Sequence, residues 1–451
     1  MSVCERESCE AGTKNKAGPV KVPTAPARPA RSIASEKRRA LCTRPDQSIS
    51  MKEPLFRTTI PIAPTAPALA HHDPLFFLGS CFSENVGGRL RDAGHDCSIN
   101  PLGTLFNPAS LARTIELLES GETYEASDLR FCKRQQLYYS FDVGTLHAHE
   151  DRDACAASIN SALASGRAAL SKSSALFLTL GSAWAYVHRD SGNIVANCHK
   201  QPQDEFDRRL LSVDEAEAQV VRAMDAAAKL AGPSLRKIVC TVSPVRHWRE
   251  GPVESSRSKA VLLTAAHGAC DSSSISSYFP SYEIVMDELR DYRWYERDLL
   301  HPSDEAVDYI TNRLLEAHFG RGDDELRSAV GAVKAAAKHR HARPQGAAAK
   351  AFAATQLERC YALEKENPHI ELEEEVATFE SLVWGGGEEM VGEEKEEEEG
   401  IGWKEAVGCD ISDEVEEEVR DAYDALKKKA GAFEALPKEA QARMLREACF
   451  S

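Results

Sequence analysis

Ser80, Asp298 and His301 are the residues of this chain whose types and spacing could act together on a substrate. A serine hydroxyl is a weak nucleophile until a base takes its proton and nearby donors hold the charge that follows. Residues 76–82 read Phe-Phe-Leu-Gly-Ser-Cys-Phe, a short apolar run that ends abruptly at Gly79-Ser80. That is the pattern of a buried strand delivering a serine into a tight turn before a helix. A serine in such a turn gains both access and the unpaired amides of a helix N-terminus. Far downstream, Asp298-Leu-Leu-His301-Pro-Ser sets a carboxylate three residues before an imidazole. The Asp can orient the ring through Nδ1 while the ring takes the serine proton. Each piece also has a plainer reading. Ser80 can be the N-cap of a helix beginning near Glu84, and Asp298 or Ser303 can cap a helix beside a merely packed His301. Cys81 is an alternative nucleophile, one residue off the serine's direction.

The elements that must position these residues read as an α/β fold. Apolar runs at Leu75–Leu78, Ala175–Leu180 and Lys237–Val242 end at small or turn-forming residues and are expected as strands. Helical stretches are expected at Asn85–Asp92, Pro108–Ser120, Asp153–Ser171 and Val213–Ala231. Ser212-Val-Asp-Glu215 supplies a capping box for the last of these. Strands alternating with helices imply a mainly parallel sheet in three α/β/α layers. Ligands of such sheets bind at the carboxyl ends of the strands, where Ser80, Gly181 and Ser243 would sit.

Composition divides the 451 residues into three parts. Residues 1–52 are rich in Ala, Pro, Ser, Lys and Arg and are expected to be a disordered basic leader. They lack the apolar core of a secretory signal, and Glu5, Glu7 and Glu10 count against a transit peptide. Met51 opens a stretch that reads as an alternative start. Residues 53–320 carry the globular pattern. Residues 321–451 are an Ala/Glu-rich acidic extension, expected to be partly helical at Ser328–Arg340 and Glu414–Ala432 or disordered, with eight glutamates in Glu388–Glu399. An acidic docking arm for a basic protein partner is the alternative reading of that part.

A formal charge of −16 argues against nucleic acid or a membrane surface as partner of the whole chain. No apolar run reaches the ~20 residues of a membrane span. The thirteen cysteines are scattered without a Cys-x-x-Cys pair, so no metal site is signalled and mostly free thiols in a reducing compartment are expected. The cytoplasm is the expected location, with an organelle as the alternative if residues 1–50 act as a transit peptide.

The segments between Ser80 and Asp298 are dense in polar and aromatic residues, which loops use to build sites. They include Asn-Pro-Leu-Gly at 100–103, Leu-Gly-Ser-Ala-Trp at 180–184, Asn-Cys-His-Lys at 197–200 and Thr-Val-Ser-Pro-Val-Arg-His at 241–247. Ser258-Lys259-Ala260, Tyr-Phe-Pro-Ser-Tyr-Glu at 278–283 and Asp-Glu-Leu-Arg-Asp-Tyr-Arg at 287–293 follow. Buried salt bridges joining Arg290 or Arg293 to Glu283 or Asp287 are the alternative account of the last two. Taken in order, these motifs resemble the GSCFA family over about residues 55–315. The fifth letter of the family's name, Ala, is Ser83 here.

The GSCFA family in turn resembles the SGNH (GDSL-type) hydrolases. That resemblance implies Ser80 as nucleophile, His301 as base and Asp298 as its orienting acid. It implies an oxyanion hole from the amides of Ser80 and Gly103. An oxyanion asparagine is expected two residues after Gly181, but Ala183 stands there. Asn197, His199 or Arg246 is then the replacement donor, and Asn197, His199, Arg246, His247 and Gly181 are the candidate substrate-binding residues. The implied reaction is hydrolysis, or acetyl transfer, of a small or carbohydrate-linked ester without metal or organic cofactor. A non-catalytic module for an anionic or sugar ligand is the alternative.

Overall fold

The computed structural model describes residues 57–249 and 251–384. The leader, Met51, the Glu388–Glu399 run and the helix expected at Glu414–Ala432 lie outside these residues.

Ten strands occur in the described chain: β1 (Leu75–Gly79), β2 (Cys97–Ile99), β3 (Arg130–Cys132), β4 (Leu137–Tyr139), β5 (Ala175–Leu180), β6 (Trp184–His188), β7 (Ile194–Val195), β8 (Phe206–Leu210), β9 (Lys237–Val242) and β10 (Ser276–Phe279). Five of them form one all-parallel sheet in the order β10-β9-β5-β1-β2. Counted along the chain, this is the doubly wound order 2-1-3-4-5, whose ligand crevice opens where the winding reverses, between β1 and β5. The α/β reading of the sequence therefore holds, with a mainly parallel central sheet. β6, β7 and β8 add a small antiparallel sheet, and β3 and β4 a hairpin.

The helices are α1 (Cys81–Asp92), α2 (Pro108–Ser120), α3 (Arg152–Lys172), α4 (Val213–Ala231), α5 (Gly251–Asp271), the single turn α6 (Ser281–Glu283), α7 (Asp304–His318), α8 (Asp324–Ala337), α9 (Ala347–Glu366) and α10 (Glu373–Trp384). Successive side chains of a strand face opposite sides of a sheet, and the two cores follow that alternation. Phe76, Leu78, Leu176 and Leu178 pack against α2, α3, α4 and α5. Leu75, Phe77 and Phe177 pack against α1 and α7. Because both faces are covered, β1, β5 and β9 read as unbroken apolar runs rather than alternating ones.

Caps fix the helix starts. Ser212 and Glu215 form the expected capping box of α4, and Asn107 caps α2 with Pro108 at its first position. Ser303 caps α7, as its plainer reading supposed. After residue 320, α8, α9 and α10 bury Val330, Val333, Leu357 and Phe379 in a core of their own. Among the described residues no helix is long and apolar enough to cross a membrane.

Of the buried salt bridges expected within residues 283–293, Arg290–Asp287 forms, but at the surface, and the others do not. Arg290 pairs with Asp287 and Arg293 with Asp291, all at the surface, while Glu283 accepts from the Tyr278 hydroxyl. Spacing favoured these local pairs, because residues two and three apart meet without crossing the core. The buried pair is Glu288 with Arg313 of α7 at 2.8 Å, and it also holds the Tyr309 hydroxyl and the backbone of Ile60. Removing one partner of a buried pair strands the other's charge. Arg313→Met should therefore cost about 3 kcal/mol or more in urea unfolding, whereas Arg290→Met should shift stability by less than about 1 kcal/mol.

Candidate active site

Ser80 follows the last residue of β1 and is the N-cap of α1, with extended backbone at φ −73° and ψ 176°. The helix starts at Cys81, earlier than the sequence suggested. Ser80 Oγ accepts the Phe82 amide at 3.3 Å, so the capping reading of this serine is realised. The bond is long, and the residue is 1% exposed.

Gly79 makes the turn sharp. Its φ of +150° is one that residues with a side chain rarely adopt, and a Cβ there would stand 2.3 Å from the carbonyl oxygen of Thr179 on β5. Asn100 then locks the turn from the next strand end. Its Oδ1 accepts the Gly79 amide at 2.8 Å and its Nδ2 reaches Glu84 on α1 at 3.1 Å. Asn100 thus ties the end of β1 to the first turn of α1, a role the sequence did not disclose beyond its place in Asn-Pro-Leu-Gly.

Gly103 does not offer its amide as expected. At φ +88° the residue closes a turn, and its N–H donates to the Asn100 carbonyl at 2.8 Å. The hydrogen-bond demand of a buried turn has taken the donor. Gly103 instead allows close backbone packing, since an added Cβ would lie 3.1 Å from Gly144.

Position 183 is equally closed. Ala183 is fully buried, and its amide donates to Ser258 Oγ of α5 at 2.7 Å. Neither its side chain nor its backbone can serve an oxyanion. Gly181 donates its amide to Phe106, so of the Gly181 peptide groups only the carbonyl turns elsewhere, toward Lys259.

Asp298 and His301 form the expected pair. Nδ1 of His301 lies 2.6 Å from Asp298 Oδ2, and Asp298 Oδ1 accepts the amides of Leu300 and His301 at 2.9 and 3.0 Å. The hydrogen bond from the imidazole, followed by these two amides, holds the Asp298 carboxyl down at about 2. With Nδ1–H given to the carboxylate, the lone pair of the ring rests on Nε2, the form a general base requires. The intervening Leu299 has φ +61°, which lets so short a loop fold back on itself. Both side chains are part-exposed. Ser80 Oγ makes no hydrogen bond to His301.

The segment after β9 connects the pair to the sheet. Arg246 donates its amide to the carbonyl of Leu300, beside His301, and its side chain reaches the sulfur of Met286. His247 stands edge-on to Phe106 at 5.4 Å. Burial, helped by the nearby Lys259 and His301, pushes its imidazole down to about 4. It is a neutral side chain at neutral pH.

Asn197 and His199 are placed differently. Asn197 Oδ1 accepts the His199 amide, and the buried His199 ring stacks on Tyr139 and bonds the Val143 carbonyl at 3.0 Å. These bonds brace the loop behind Gly103 and make no contact with Ser80 or His301. Cys81 is poorly suited to attack, because burial raises its thiol above the usual range. All eight described cysteines are free. Among the described residues no group of His, Cys, Asp and Glu is arranged to hold a metal ion.

Lys259, quoted in the sequence only as part of a motif, is buried on α5. Its Nζ donates to the carbonyls of Gly181 and Ser243 at 2.7 Å each. Those residues immediately follow β5 and β9, so one ammonium pins two central strand ends.

The fold and these groups define an α/β protein with a serine elbow at the switch point of its sheet and an Asp–His pair at the rim. The GSCFA family model matches residues 74–314, just over half of the chain. The chain belongs to the GSCFA family. Comparison with curated proteins and with solved structures gives no match.

The lock on the turn is measurable. Asn100→Ala would leave the buried Gly79 amide unpaired and should cost about 2 kcal/mol. Gly79→Ala meets the Thr179 backbone and should cost more than about 3 kcal/mol. Urea unfolding with circular dichroism reads both.

Proposed function

We propose that the chain is a serine hydrolase that cleaves, or transfers the acyl group of, a small or carbohydrate-linked ester, in the manner of the SGNH enzymes its motifs resemble. The observation that carries this reading is the 2.6 Å Asp298–His301 bond, which leaves Nε2 as the basic nitrogen on the same sheet edge as the Ser80 elbow. In this mechanism His301 Nε2 takes the Ser80 proton as Oγ attacks the ester carbonyl. The same imidazolium then protonates the departing alcohol. Asp298 keeps the ring's tautomer and offsets its charge. The first amides of α1, at Ser80 and Cys81, face the growing oxyanion with the positive end of the helix dipole behind them.

A second reading, an anion- or sugar-binding module on the same fold, is favoured by one observation. Ser80 Oγ accepts the Phe82 amide as a helix cap and is buried. An acidic arm for a basic protein partner, on residues 321–451, is the other part of that reading.

The two readings separate on one substitution. Wild-type protein should hydrolyse p-nitrophenyl acetate, and Ser80→Ala should lose that activity to background. Undiminished turnover in Ser80→Ala would reject the serine as nucleophile. Asp298→Asn should lower kcat by about 100-fold or more, because the orienting acceptor is lost while the fold is kept.

A further inference from the structure

Lys259 is a buried cation without an anion. The residue is 3% exposed, and no described carboxylate pairs with its ammonium. An unpaired buried charge is costly, and chains retain one where a ligand or a reaction supplies the missing opposite charge. Two of its three protons are occupied by Gly181 and Ser243, which leaves the third without a protein acceptor. The groups around it are Cys81 on α1, Arg246 and His247 after β9, and the ring of Tyr282 on α6 at 6.0 Å. Cys81 borders Ser80, and His247 adjoins His301. The ammonium therefore sits between the two halves of the candidate site.

The same neighbourhood lacks the donors expected of it. Ala183 has replaced the asparagine, and the amides of Ala183, Gly181 and Gly103 are all bonded within the protein. We propose that Lys259 supplies the positive charge that this site uses in place of the absent asparagine, offsetting the negative oxygen formed when Ser80 attacks its ester and fixing the ends of β5 and β9 around it. This rests on the serine-hydrolase reading. Lys259 acts as a positioning and electrostatic residue: no bond is made to it, and its proton stays in place through the step.

Titration gives a readout that a merely structural lysine would not move. Burial holds the Lys259 ammonium down at about 7, with Arg246 adding to that effect. Of its neighbours, Arg246 is a guanidinium, while Cys81, Tyr282 and His247 are neutral through that range: burial raises the Cys81 thiol and the Tyr282 phenol, and His247 stays uncharged above about 4. The charged form is the active one, so activity is present below about 7 and lost above it. A neutral amine still holds both carbonyls with two protons, so the fold survives that loss.

The experiment measures kcat and KM for p-nitrophenyl acetate from pH 5 to pH 9 in full-length wild type, Lys259→Met and Lys259→Arg, with thermal unfolding of each. Wild-type kcat should fall on the alkaline side near pH 7. Lys259→Met should lose about 100-fold in kcat with little change in KM, the cost of one lost oxyanion stabiliser. Lys259→Arg, charged throughout, should lose the alkaline limb. A folded Lys259→Met with wild-type kcat overturns the proposal while leaving the hydrolase reading intact. If that variant does not fold, a wild-type profile flat to pH 9, or an alkaline limb unchanged in Lys259→Arg, overturns it. A wild type that does not hydrolyse the ester overturns both.

Discussion

The close approach of Gly79 to Thr179 governs how this protein presents its serine. Parallel pairing sets these two residues directly across β1 and β5. Only a residue without a side chain can turn away there, because any Cβ would strike the Thr179 carbonyl. The turn ends the strand, leaves Ser80 at the carboxyl end of β1 and starts α1 at the next residue. Asn100 then fixes the geometry from β2 through Gly79 and Glu84. The candidate residues lie on the edge this elbow opens: the 100–107 loop bonds Gly79 through Leu105, Gly181 and Ser243 follow the strand ends of β5 and β9, and the Asp298–His301 loop is tied to the segment after β9 through Arg246.

The sheet order explains why residues far apart in the chain meet. In the 2-1-3-4-5 winding, β1 lies between the strand that follows it and the one after that, so its carboxyl end opens on a crevice that helices do not fill. Gly181 and Ser243, just past β5 and β9, and Phe279, the last residue of β10, lie on the same edge. Thr241 and Ser281 knit the β9 and β10 ends together through bonds of 2.6–2.8 Å, which keeps the rim rigid where Tyr282 and His247 project. Burial then sets the charge state of the rim. It makes His247 neutral, Cys81 a thiol and Lys259 a weak acid.

Much of this was legible in the residues. β5 and β9 were readable to the residue, because a strand covered on both faces is a continuous apolar run bounded by turns. α4 was readable because its capping box marks the first turn. β10 was not, since Ser-Ser-Tyr-Phe carries too little apolar signal, and β2 is only three residues long. The Asp298–His301 pair was readable because its geometry is local. The oxyanion donors were not. Gly103 showed that a turn was needed, but the direction of its amide depends on Asn100, which sequence spacing does not encode. Lys259 was the hardest to see, because a lysine in an Ala- and Ser-rich helix ordinarily faces water. Its burial follows from where α5 crosses the strand ends.

The central claim is that Ser80 is the nucleophile. Peptide mapping by mass spectrometry after treating the wild-type chain with a fluorophosphonate tests it most directly. The account predicts a single adduct on Ser80, lost when the protein is unfolded before treatment. An adduct on another residue, or an unmodified Ser80 in folded protein, would contradict it.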